Sequence, residues 1–197
     1  MKQQNFIVIL ISTMVLMLAF QNCGPKPLSK SPLENTNVNQ SLAQGFIEMT
    51  EAEAQVLLLP YEGQCAAGFA QINTYPLLPI NASISGTTTA TYKGTSIQKI
   101  SGSGVITVYN SNLVSNPTIH EISVFNGNLH FCGINVVTVG SSVNANIVVE
   151  NATISSANEA TGNIYIINGE FPNTAFGFKG QIIVKNKLGV YQGRTYF

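Results

Sequence analysis

ITVYNSNL at residues 106–113 returns along the chain as ISVFNGNL from Ile122, IVVENATI from Ile147, IYIINGEF from Ile164 and, in decayed form, IIVKNKLG from Ile182. The shared rule is apolar, any, apolar, any, Asn, small, any, apolar. It places Asn110, Asn126, Asn151, Asn168 and Asn186 at steps of 16, 25, 17 and 18 residues. Alternation with period two marks a strand, because side chains at i and i+2 share a face. Asn tolerates the left-handed backbone conformation, and a small residue after it fits a tight bend. Each copy therefore reads as one corner of a winding chain. Val108 faces a core, Asn110 turns the chain, Ser111 fits the corner, and Leu113 re-enters the core on the next face. Stacked corners let the amide of one Asn bond to the next.

The surroundings agree with strands. From about Ile80 onward, short runs of Val, Ile, Thr and Tyr alternate with Gly, Asn and Ser, and no helical spacing is found. A second reading makes each copy a hairpin. Phe125-Asn126-Gly127-Asn128 is a type I′ turn signal, pairing Val124 with Leu129, and Asn168-Gly169 repeats it. That turn needs positive φ at both central positions, which Ala152 and Lys187 resist. The expected class is all-β, a parallel β-solenoid, with an antiparallel sandwich or meander as the alternative. The Asn corners resemble the asparagine ladder of right-handed parallel β-helices over residues 105–189. That family includes secreted pectin-degrading enzymes and bacterial surface proteins.

Upstream, Thr50-Glu51-Ala52-Glu53 opens a helical pattern with a capping box between Thr50 and Glu53. Ala52, Val56 and Leu59 recur at helical spacing and Pro60 stops the element. A short helix near 50–59 is expected, packed on one end of the β body.

The N-terminus reads as an address. Lys2 precedes an apolar run from Phe6 to Phe20 broken only by Ser12 and Thr13. As a helix this run spans roughly 22 Å, short of the roughly 30 Å hydrocarbon core of a bilayer. A positive start and a short apolar region make a secretory signal. An ordinary cleavage site wants small residues, and Phe20-Gln21-Asn22 offers none. AFQNCG (19–24) instead resembles the lipobox of bacterial lipoproteins. The resemblance implies acylation of Cys23 and removal of residues 1–22. Gly24 after the cysteine resembles lipoproteins passed to the outer membrane of a Gram-negative cell. Several acyl chains give stable anchoring where one is marginal. Residues 23–45, rich in Pro, Ser, Asn and Gln, bury too little surface to offset ordering entropy and read as a tether. Residues 46–197 form the β-rich domain.

Composition narrows the chemistry. Loss of Lys2 with the signal leaves eight basic groups against nine acids, a balance of minus one. All nine acids are Glu, the chain has no Asp, and Arg194 is its one Arg. Without clustered Lys and Arg there is no electrostatic footprint for nucleic acid. Cys65 and Cys132 stay in the exported body, and an even pair in an oxidising compartment reads as a disulfide.

No catalytic constellation stands out. The β-helix resemblance implies polysaccharide cleavage, through clustered Asp in hydrolases or through Ca²⁺ and an Arg base in lyases. With no Asp, no residue carries over to the hydrolase pattern. Glu150 and Glu170 are the candidate carboxylate pair, though two solvated surface acids are the favoured reading. His120, Glu121, His130 and Cys132 carry ligand-type atoms for zinc, a site that a Cys65–Cys132 bridge removes. Tyr92, Tyr109, Tyr165 and Tyr191 would form a sugar-binding strip if they face outward, and are otherwise ordinary strand residues. The expectation is therefore a non-enzymatic structural or adhesive module, with no cofactor and no metal. It is tied to the membrane by its lipid anchor, facing the periplasm or the cell surface. Carbohydrate or an envelope protein is the expected further partner. The alternative is an envelope enzyme acting on polysaccharide.

Overall fold

The computed structural model describes residues 45–111 and 117–197. The expected signal peptide, Cys23, the expected tether as far as residue 44, and Leu113 lie outside them. Within them the chain winds into a parallel β-solenoid of about six coils. The strands are β1 (Phe46–Glu48), β2 (Ala82–Ile84), β3 (Thr87–Gly94), β4 (Ser96–Asn110), β5 (Thr118–Cys132), β6 (Asn135–Val139), β7 (Asn144–Glu150), β8 (Ile154–Ala157), β9 (Thr161–Ile167), β10 (Lys179–Lys185) and β11 (Tyr191–Tyr196). The helices are α1 (Glu51–Leu58) and α2 (Gln64–Phe69). One wall stacks β3, β4, β5, β7, β9 and β10, all in parallel. The opposite wall stacks β2, the first half of β4, the first half of β5, β6 and β8. At the far end β11 pairs antiparallel with β10, and β1 pairs antiparallel with β11.

Inward residues repeat in columns because each coil sits in register on the last. Ile106, Leu129, Ile147, Ile164 and Ile182 form one column, and Val108, Phe131, Val149, Ile166 and Val184 the next. Facing them are Ile97, Ile119, Val136 and Ile154, then Ile100, Ile122, Val139 and Ala157. All are buried and belong to one continuous core. Each such aliphatic side chain removed from water contributes about 1.5–3 kcal/mol.

The corner column corrects the sequence frame. By register it runs Gly94, Asn110, Gly133, Asn151, Asn168 and Asn186. Asn126 is absent from it. Asn126 lies inside β5, opposite Ser103 and Asn144, so no hairpin forms at Phe125–Asn128. The frame-matched copy is LHFCGINV, residues 129–136, where Gly133 takes the left-handed conformation at φ 70° in place of Asn. Ile122 of ISVFNGNL belongs to the other wall. The step of 25 residues gives way to one of 23 between Asn110 and Gly133, and the later coils advance by 17 or 18 residues.

Asn151 and Asn168 both adopt left-handed backbone, φ 58° and 59°, and Asn168 Nδ2 donates to Asn151 Oδ1 at 2.8 Å. Asn186 is used differently. Its Oδ1 accepts from the N–H groups of Leu188 and Val190, closing the turn that reverses the chain into β11.

Two further columns bend each coil. Gly104, Gly127, Gly162 and Gly180 stack with Ala145 among them, the four glycines at φ between 111° and 141°. A Cβ on Gly127 would stand 2.0 Å from the Gly104 carbonyl oxygen, and one on Gly162 would stand 2.1 Å from that of Ala145. Val124, Ser142, Glu159 and Gly177 make the other corner, all left-handed. Val124 is the misfit, a β-branched residue at φ 51° and largely exposed. Such a residue pays a steric cost there that glycine escapes.

Helix α1 begins as the sequence indicated. Thr50 and Glu53 exchange both bonds of the capping box. Its buried face, however, is Ala54 and Leu58, while Val56 and Leu59 are exposed. It lies against the last strands, β10 and β11, where its buried residues join the outward apolar cluster of Val148, Tyr165, Ile167 and Ile183. Those four outward apolar residues select the face of the helix that meets them.

Two substitutions test these columns by equilibrium denaturation. Gly127→Ala is expected to lower stability by at least about 2 kcal/mol, since the added carbon meets backbone and the φ is wrong for Ala. Val124→Gly is expected to raise stability by about 0.5–1 kcal/mol by relieving left-handed strain at little loss of burial. The same sign for both would refute the assignment of these corners.

Candidate functional site

Two places concentrate polar side chains. The first is sealed beneath the N-terminal flank. On the outward side of the wall, His130 and Cys132 alternate along β5 and therefore point the same way. Glu150 on β7 lies directly beside Cys132 in register. Helix α2 lays Cys65 over them, and Cys65 and Cys132 form a disulfide with Cα atoms 5.6 Å apart. The bridge closes a separation of 67 residues and so contributes about 4 kcal/mol on the chain-entropy model. It staples the helical flank to the solenoid.

His130 Nε2 lies 3.3 Å from Cys65 Sγ and 3.7 Å from Cys132 Sγ. Glu150 is buried, and its Oε2 accepts from the Cys65 N–H at 3.2 Å. Burial raises the Glu150 pKa above its ordinary value despite that bond, and burial lowers the pKa of His130. Both groups are thus biased toward their neutral forms. Tyr109 completes the enclosure, between Phe69 edge-on and Tyr75 stacked.

The other sequence candidates are dispersed. His120 is exposed, and Glu121 pairs with Lys99 across the neighbouring strand at 3.6 Å, so neither joins His130 and Cys132. Glu150 is covered by the flank while Glu170 is exposed, so a glycosidic bond has no access to both. The tyrosines make no open strip. Tyr92 packs on the solenoid core, and Tyr109 and Tyr165 are buried by the flank. Tyr165 packs against Tyr61, and burial pushes its pKa up to about 12. Tyr191 donates to Glu62 at 2.7 Å beside the Lys185–Glu62 ion pair at 2.6 Å. These residues fasten the flank to the last coils.

The second place is open. Asn128, Asn146, Asn163 and Gln181 occupy successive coils in one outward column. Asn146 Nδ2 donates to Asn128 Oδ1 and Asn163 Nδ2 to Asn146 Oδ1, each at 3.2 Å. A parallel outward row carries Ser103, Asn126, Asn144 and Thr161. The result is a ruled surface of short amides and hydroxyls, repeating at the strand spacing of about 4.8 Å. Sequence reading overlooked this row, since Asn146 and Asn163 stand just ahead of the repeat copies that begin at Ile147 and Ile164, and Asn128 falls at a variable position of its copy. Their matched offset from the corner column was the available signal.

No protein-family model, curated protein or solved structure matches this chain. The geometry has to speak for itself.

Glu150 gives the site a pH signature. A carboxyl whose folded pKa lies above its unfolded value favours the fold at low pH and loses that contribution as pH rises through the folded pKa. Glu150→Gln removes the charge. The melting temperature of the variant relative to the parent is expected to be higher at pH 7 than at pH 4. An unchanged or reversed difference in paired thermal melts would contradict a neutral, buried Glu150.

Proposed function

We propose that this chain is a cell-envelope lipoprotein of the outer membrane, anchored through Cys23, whose solenoid serves as a non-enzymatic adhesive or structural module. The observation that carries the binding role is the exposed amide column of Asn128, Asn146 and Asn163 beside the row of Ser103, Asn126, Asn144 and Thr161. Each amide presents both donors and an acceptor, and bonds along the column fix their orientation. Preorganised groups at a regular spacing lose little entropy when an extended partner with its own repeat lies across them. Hydroxyl-rich carbohydrate fits that chemistry. The low charge of the chain, 9% of residues, agrees with recognition by neutral polar groups. The lipid anchor is supported by the stretch around Cys23 in the sequence.

Retention on a panel of envelope and extracellular glycans tests the binding role. Replacing Asn128, Asn146 and Asn163 together by Ala is expected to weaken retention roughly tenfold or more, at about 1 kcal/mol for each hydrogen bond lost. Release of shortened glycan would establish an enzyme instead, and equal retention by parent and variant would remove the amide column from the role. Intact mass of the mature protein reads the anchor separately: a chain beginning at Cys23 and carrying fatty acids is expected.

A further inference from the structure

The flank holds a set of ligand atoms that the disulfide alone does not require. Cys65 Sγ, Cys132 Sγ and His130 Nε2 all lie within 4.8 Å of one another, brought from helix α2 and from one strand of the solenoid. A bridge that served only to staple the flank would need no imidazole against both sulfurs, and no buried carboxylate beside it. Two thiolates and an imidazole are the ligands zinc prefers, at about 2.3 Å from sulfur and 2.0–2.1 Å from nitrogen. In the oxidised chain the sulfurs are bonded to each other and offer no thiolate. We propose that reduction of the Cys65–Cys132 disulfide converts this cluster into a zinc site, with Cys65, Cys132 and His130 as ligands and Glu150 beside it. The bridge and the metal are then alternative fastenings of the same flank.

The conversion balances with an external dithiol as the reductant. A dithiol reductant passes two electrons and two protons to the disulfide, giving two cysteine thiols, and itself becomes a disulfide. Zinc then binds the two sulfurs and the His130 nitrogen while two thiol protons leave to solvent. The sulfurs must separate when their bond is broken. Helix α2 is a single short element of six residues over the wall, so the side chain of Cys65 can turn without disturbing the stacked coils. Glu150, whose Oε2 already accepts from the Cys65 backbone N–H, keeps that residue over the site and stands beside Cys132 in register, supporting the ligands from outside them. This set differs from the one the sequence suggested. His120 and Glu121 take no part, and Cys65 arrives from 65 residues away from His130.

Cobalt serves as the optical probe, since bonds from Co²⁺ to thiolate give an intense charge-transfer band. The full-length mature chain is reduced with a phosphine, its β-sheet circular dichroism is recorded, and Co²⁺ is titrated in. The reduced protein is expected to bind one equivalent with the thiolate band, to release it to an equivalent of Zn²⁺, and to melt at a higher temperature with Zn²⁺ than without. The oxidised protein is expected to show no band. His130→Ala is expected to abolish stoichiometric binding, and Glu150→Gln to weaken it about 10–100-fold. The assignment fails if the folded, reduced chain shows no band. It fails equally if His130→Ala titrates as the parent does, or if reduction unfolds the solenoid so that any metal is held by a disordered chain. Cys65→Ser in a phosphine-free sample provides a second reading, with one thiolate and His130 leaving the band weak and the affinity lost.

Discussion

Parallel stacking in register is the constraint on which everything else depends. When each strand pairs with the equivalent strand one coil away, every residue inherits a neighbour of the same backbone conformation above and below. Left-handed positions line up from coil to coil, as at Val124, Ser142, Glu159 and Gly177, although Ala145 stands between Gly127 and Gly162 without sharing their positive φ. An inward side chain meets the same inward position. Sequence order is thereby turned into columns, and each column selects one kind of residue: aliphatic at Ile147 and Ile164, glycine at Gly127 and Gly162, Asn at Asn151 and Asn168. The hydrogen bonds of the wall impose this, because a local departure breaks pairing on two sides at once.

The same constraint creates a difficulty at the ends and on the outer faces. An uncovered strand edge invites further pairing. The far end is closed by the reversal at Asn186, after which β11 and β1 run antiparallel. On the outside, Val148, Tyr165, Ile167 and Ile183 make an apolar surface that the N-terminal flank covers. The flank has little core of its own, and its helices are short. Its position rests on the wall, on the disulfide, and on the Glu62 contacts to Lys185 and Tyr191. Burial of His130 and Glu150 follows from this covering, and so does their shifted chemistry. The neighbouring rows of the same wall, beginning with the column of Asn128, Asn146 and Asn163 two residues earlier on each strand, keep amides and hydroxyls and remain open to solvent.

Much of the architecture was legible from the alternation of apolar residues ahead of each Asn. The error at Asn126 is instructive. ISVFNGNL obeys the repeat rule as well as its neighbours do, yet its apolar residues belong to two walls. The true corner at Gly133 is hidden because glycine satisfies a left-handed position as readily as Asn does. A text pattern rewards the letter, whereas the backbone responds only to φ. The helix shows a related effect. Ala52, Val56 and Leu59 lie on a helical stripe, but which stripe is buried depends on the surface that receives it.

The sequence by itself determined the local matters: alternation that makes strands, Asn and Gly that permit corners, a capping box that starts a helix at Thr50, and an even pair of cysteines in the body. Tertiary structure alone decided which corners share a column, which outward residues the flank seals, and that the Cys65–Cys132 pair meets His130 and Glu150. The first group depends on torsions and hydrogen bonds within a few residues. The second depends on register between coils and on packing across dozens of residues, where no short stretch of chain carries the information.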